Sequence, residues 1–179
     1  MRAHRRSVRN RARRLIVSAL ILAAAATAAE AGTADGDEWT RVQIQDSVTR
    51  AAVRASLDVA DRWLTNARCE TLFTEFQDRH SRPLSAALAA LGVSGRGYLR
   101  LVLFRDGSDA HLCYRREALA FTTPGSRIVY VCGRDFARDW PALGPAALLH
   151  EALHSLGLDE NPPSSRFITN RVRRLCAVS

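Results

Sequence analysis

His150, Glu151 and His154 are the residues of this chain whose types and spacing could do chemistry. Two histidines four apart on a helix lie on one face, one turn above each other. Both imidazoles can then hold a single Zn²⁺ at about 2.0–2.1 Å without straining the backbone. Glu151, beside the first histidine, is not aimed at the metal, yet is close enough to act as a base toward water held there. The flanks fit a mostly buried helix: Ala146, Leu148, Leu149, Ala152, Leu153 and Leu156 surround the three polar residues with apolar ones. Ionisable groups on such a helix need partners, and a metal ion supplies one. Pro145 suits a first helical position, and Gly157 suits the left-handed residue just past the end.

A zinc site that does hydrolysis has three protein ligands and one open position. After His154 the chain holds no further histidine, and its only acidic residues are Asp159 and Glu160. The upstream alternatives for a third ligand are His80, His111 and Asp135.

The stretch from His150 to Glu160 resembles the zincin metallopeptidases, and within them the metzincin-like pattern H-E-x-x-H-x-x-G-x-x-(His or Asp), with Glu160 in the last place. In that family the glycine turns the chain back so that the last residue reaches the metal. The resemblance therefore implies His150, His154 and Glu160 as ligands, with Asp159 second in line to Glu160, and Glu151 as catalytic base. Two departures stand out. Metzincins carry a methionine turn beneath the metal, whereas the only methionine here is Met1. Their third ligand is His or Asp, whereas the thermolysin-like gluzincins, which do use Glu, carry it on a separate downstream helix. The chain is also similar to small bacterial secreted proteins built on an H-E-x-L-H-x-L-G-L centre.

The N-terminus reads as a secretory signal. Seven Arg lie between Arg2 and Arg14, the run Leu15 to Ala29 is apolar, and Ala29-Glu30-Ala31 fits a small-x-small cleavage site. Residues 1–31 are the expected leader and residues 32–179 a single domain, exported to the periplasm or the medium, with no stable membrane insertion after cleavage. The net charge of +8 belongs largely to the leader, since nineteen Arg face seventeen acidic residues beyond it. A nearly neutral domain excludes the electrostatic footprint of a nucleic-acid binder. Four cysteines (Cys69, Cys113, Cys132, Cys176) in an exported chain imply two disulfides. Three pairings are open; Cys69–Cys113 with Cys132–Cys176 is the preferred one.

The elements that must position the site follow from periodicity. Asp46 can cap a helix from Ser47 to about Asn66, with an apolar stripe Val48, Ala52, Ala55, Val59, Trp63. Residues 71–76 and 83–91 read as short helices. Tyr98 to Phe104, Ala118 to Phe121 and Arg127 to Cys132 read as strands, and Trp140-Pro141 as a connection into the metal helix. A last short helix spans Ser165 to Cys176. The expected fold is α+β and zincin-like: a small mixed sheet, a long N-terminal helix, the active-site helix and a short C-terminal helix. The resemblance adds an edge strand along the cleft that pairs with an extended substrate, with Ala118 to Phe121 and Thr122-Thr123 as candidate. The expected function is a zinc-dependent metallo-endopeptidase acting on a peptide or protein substrate as a monomer. A catalytically silent zinc-stabilised binding module, or a zinc amidase acting on non-protein amides such as cell-wall crosslinks, are the alternatives.

Overall fold

The computed structural model describes residues 39–114 and 118–177; the leader expected over residues 1–31 lies outside them. Four short strands form one mixed sheet: Val42–Gln43 (β1), Leu103–Asp106 (β2), Ala120–Thr122 (β3) and Ile128–Val131 (β4). Their order is β1-β2-β4-β3. The β1/β2 and β2/β4 pairs are parallel, and β3 closes one edge antiparallel to β4. Phe104, Val129 and Val131 point into the core from the paired central strands. The α+β class expected from the sequence is the class observed.

Ser47–Trp63 (α1) is capped as its sequence suggests, with the Asp46 carboxylate accepting the Thr49 N–H at 2.6 Å. Its buried face differs from the expected stripe. Ala52, Val53, Ser56, Leu57, Ala60 and Asp61 face inward, whereas Val48 is 65% exposed. The inner face is the one carrying Val53, Leu57 and Ala60, all fully buried; the charge it also carries, Asp61, is matched there by Arg96 at 2.6 Å and Arg100 at 2.7 Å. The short helices Ala67–Glu70 (α2), Leu72–Glu75 (α3) and Leu84–Leu91 (α4) follow. The strand expected over Tyr98 to Phe104 is shifted and runs from Leu103 to Asp106. Gly95–Leu99 (α5) is helical, because Ser94 Oγ caps it by accepting the Gly97 N–H at 3.1 Å. That turn buries Tyr98, whose hydroxyl meets Ser155 Oγ at 3.0 Å, and pairing begins only at Leu103. His111–Tyr114 (α6) precedes the edge strand.

Gly133–Ser155 (α7) is far longer than expected and runs through both Pro141 and Pro145. Each proline removes one intrahelical bond and disfavours a helix by about 3 kcal/mol in isolation. Packing outweighs this: α7 lies along α1, and Gly144 brings the two backbones close, where a Cβ would collide with Ser56 Oγ. The final helix is Ser165–Cys176 (α8), capped by Ser164. It packs on α7 with Ile168, Val172 and Leu175.

The two disulfides are Cys69–Cys176 and Cys113–Cys132, not the preferred pairing. α8 lies against α2, which sets Cys176 beside Cys69, and the β3/β4 hairpin returns Cys132 to Cys113. In the chain-entropy account, bridges spanning 107 and 19 residues stabilise by roughly 4–5 and 3 kcal/mol. Among the described residues no helix is long and apolar enough to cross a membrane.

The α1/α7 contact gives a direct test. Gly144→Ala is expected to cost about 1–3 kcal/mol of overpacking. Ser56 Oγ is buried without a hydrogen-bond partner, so Ser56→Ala alone should be neutral or stabilising. The double variant should recover part of the loss. Urea unfolding of the three variants measures the coupling.

Candidate metal centre

The last two turns of α7 carry the polar cluster in a sheath of apolar residues. His150, Glu151 and His154 are all buried, flanked by Leu148, Leu149, Ala152 and Leu153. The helix then ends in a left-handed turn. Gly157, at φ +111°, donates its N–H to His154 O at 2.8 Å, and the Leu158 N–H reaches Leu153 O at 3.2 Å. This is the paired-bond Schellman ending that glycine favours. It folds the following residues back over the helix, so that the Leu158 carbonyl accepts from His154 Nδ1 at 2.7 Å.

The same reversal carries Glu160 to the histidines. Its Oε1 lies 3.7 Å from His150 Nε2 and 3.7 Å from His154 Nε2, and the two Nε2 atoms stand 2.9 Å apart. These three residues form a group that could hold a metal ion. The donor set suits zinc, which takes imidazole nitrogen and carboxylate oxygen. Tetrahedral ligands at about 2.0–2.2 Å stand about 3.3–3.6 Å apart; the observed 2.9 and 3.7 Å bracket that spacing and need only small side-chain shifts to meet it. Glu160 is about 40% exposed and forms the open side of the site.

Burial, and behind it the like charge of His154, pushes the His150 pKa down to about 3, so the ring is neutral and able to ligate. His150 Nδ1 lies 2.9 Å from Thr169 Oγ1 on α8. Glu151 points elsewhere. Burial, and then the Glu160 charge, raise its pKa well above the ordinary carboxylate value, against a smaller opposing effect of the nearby Thr122 backbone N–H on β3. The Cys132 N–H donates to Leu119 O at 2.9 Å, so in the β3/β4 register the Thr122 N–H faces away from β4. Strand alternation gives the Ala120 N–H and C=O the same outward direction, along the edge nearest α7. A cavity of about 180 Å³ opens beside His150 and Glu151, walled by Ala118, Ala120, Leu143, Ala146 and Ala147.

The remaining candidates lie apart from this cluster. His80 and His111 are exposed, and Asp159 is outside the group. Asp135 is buried in the first turn of α7, held by Arg138 at 3.0 Å. It lies fifteen residues ahead of His150 on one helix, about 22 Å away. Trp39 is buried, and Trp63 and Trp140 pack against the core. Three contacts were not foreseen: the Leu158 carbonyl, the Thr122 N–H and Thr169. The first two are backbone groups and leave no residue-type signal. Thr169 left a faint one, as a polar residue beside the inward stripe Ile168, Val172, Leu175. Comparison of the chain with protein-family models, curated proteins and solved structures finds no match.

The depressed His150 pKa contributes acid sensitivity to the fold when chelator keeps metal away, opposite in sign to Glu151, whose raised pKa favours the fold as pH falls. The unfolded chain takes up a proton near pH 6.5, whereas the fold refuses it until about pH 3. This contribution is therefore complete above pH 6.5 and lost as pH falls through that window. Between pH 7 and pH 5 the expected loss is about 2 kcal/mol. The difference between the parent and His150→Gln in urea unfolding with chelator, taken at pH 7 and pH 5, measures it.

Proposed function

We propose that this chain is a zinc-dependent hydrolase of the zincin type, acting on peptide bonds outside the cytoplasm. The observation that carries the reading is a buried, proton-affine Glu151 beside three ligand atoms that converge on one point. A structural zinc site has no use for such a base and is closed by a fourth protein ligand, whereas this site has an exposed side at Glu160.

His150, His154 and Glu160 are the proposed ligands. Zinc held there supplies Lewis acidity toward a carbonyl oxygen and acidity to water. Glu151 takes the proton of the attacking water and passes it to the leaving nitrogen. Its raised pKa suits that exchange, because a base that also returns the proton works best near the ambient pH. The carboxylate lies near the Thr122 N–H of the edge strand. The outward backbone groups of Ala120 offer an extended peptide a strand to pair with. The alanine-walled cavity beside Glu151 suits a small aliphatic side chain next to the scissile bond. Two disulfides agree with an exported protein.

Metal content and turnover on an undirected peptide library test this together. One zinc per chain is expected, lost in both His154→Ala and Glu160→Ala. Glu151→Gln should retain the zinc and lose about 10²–10⁴-fold in turnover. A parent protein that holds zinc but cleaves only non-protein amides would make it an amidase. One that holds zinc and cleaves nothing would make it a binding module, and absence of zinc would end the enzyme reading.

A further inference from the structure

We propose that Thr169 is a positioning residue that lets His150 exchange tautomers between the metal-free and metal-bound protein; this rests on the metal reading above. The two histidines have partners of different kinds. His154 Nδ1 faces the Leu158 carbonyl at 2.7 Å. A carbonyl can only accept, so neutral His154 carries its proton on Nδ1 and leaves Nε2 bare. His150 Nε2 stands 2.9 Å from that bare nitrogen. A contact this short needs a donor, and His150 is the one able to donate. Its proton therefore sits on Nε2, its Nδ1 is bare, and the Thr169 hydroxyl donates to it across 2.9 Å. The donors run in one direction, from Thr169 through His150 and His154 to the Leu158 carbonyl, with every group used once.

A cation needs the lone pairs of both Nε2 atoms. His154 already presents one. His150 must give up the proton on Nε2 and take one on Nδ1, which leaves the ring neutral and the proton count unchanged. Nδ1–H now needs an acceptor, and Thr169 Oγ1 becomes one by rotating its hydroxyl. A carboxylate or carbonyl in place of Thr169 would fix the ligating tautomer permanently and forbid the other. An apolar side chain would leave the loaded ring with a buried, unpaired N–H. Partners to the second ring nitrogen orient ligating histidines, and losing one typically costs 10–100-fold in metal affinity. Thr169 is brought to the ring by a helix that packs on α7 and is also fastened to two other helices. Cys176 of α8 is bonded to Cys69, and Arg171 pairs with Glu75 of α3.

Two measurements decide it. Histidine ¹⁵N NMR on the chelated parent should show His150 protonated at Nε2 and His154 at Nδ1, with the His150 proton moving to Nδ1 when zinc is added. Competition against a chelator should show zinc Kd raised about 10–100-fold in Thr169→Val and restored in Thr169→Ser. A chelated parent with His150 already protonated at Nδ1, or a valine variant that binds zinc like the parent, overturns the role of Thr169 while the metal reading stands. A parent that takes up no zinc overturns both.

Discussion

Gly157 turns the chain back at φ +111°, and the polar cluster depends on that backbone angle. The i, i+4 spacing sets both imidazoles on one side of α7, but spacing alone leaves each ring free to rotate. The reversal supplies what orients them. It brings the Leu158 carbonyl under His154, and two residues later it brings the Glu160 carboxylate within 3.7 Å of both Nε2 atoms. An L side chain at position 157 would have to adopt a φ that such residues rarely take. Gly157 is therefore a geometric requirement for bringing the Glu160 carboxylate back to the histidines, and it meets that requirement through the same turn that ends the helix.

Burial then separates the roles of residues only one position apart. His150 and Glu151 are neighbours on one buried turn, and desolvation disfavours the charged form of each. For a histidine that means a neutral ring with a lone pair to give; for a glutamate it means a carboxyl with a raised proton affinity. One environment thus prepares a ligand and a base by the same physical effect. Glu160 instead stands exposed at the rim, 3.7 Å from both rings.

The cluster was legible in the sequence because its chemistry is local: His150, Glu151 and His154 share one turn, and Gly157 and Glu160 follow on the next. The fold was legible where a cap or a regular apolar pattern declared itself, as at Asp46, in the helix Ser165–Cys176 and along Ile128–Val131. It failed where tertiary contacts overrode a local rule. Asp61 sits on the buried face of α1 because Arg96 and Arg100, distant in sequence, come to meet it. Tyr98 reads as a strand residue, yet a serine cap and a hydroxyl contact to Ser155 hold it in a helical turn. Pro145 reads as a helix start and Trp140-Pro141 as a connection, yet α7 passes through both because it has α1 to lie against. Disulfide pairing depends on where α8 docks, which no spacing of cysteines encodes.

The observed pairing also explains why a chain of this size invests in two bridges where it does. The polar cluster draws on three segments: the end of α7 with its reversal, the edge strand β3 through the Thr122 N–H, and α8 through Thr169. Only the first is continuous with the histidines. β3 is three residues long and lies at a sheet edge, with one neighbouring strand to hold it. α8 is the last helix and has an exposed, arginine-rich outer face. Both are the kinds of element that open most readily in a folded protein. The Cys113–Cys132 bridge closes the loop that contains β3, and Cys69–Cys176 fastens the far end of α8 to α2. Each bridge thus acts on a segment that reaches the cluster from outside α7. The preferred Cys69–Cys113 and Cys132–Cys176 pairing would have tied α8 to the start of α7 and left the β3 hairpin unclosed. Holding those two segments in register is a constraint on geometry at the ångström scale, and a stabilising contribution spread over the whole fold would not provide it.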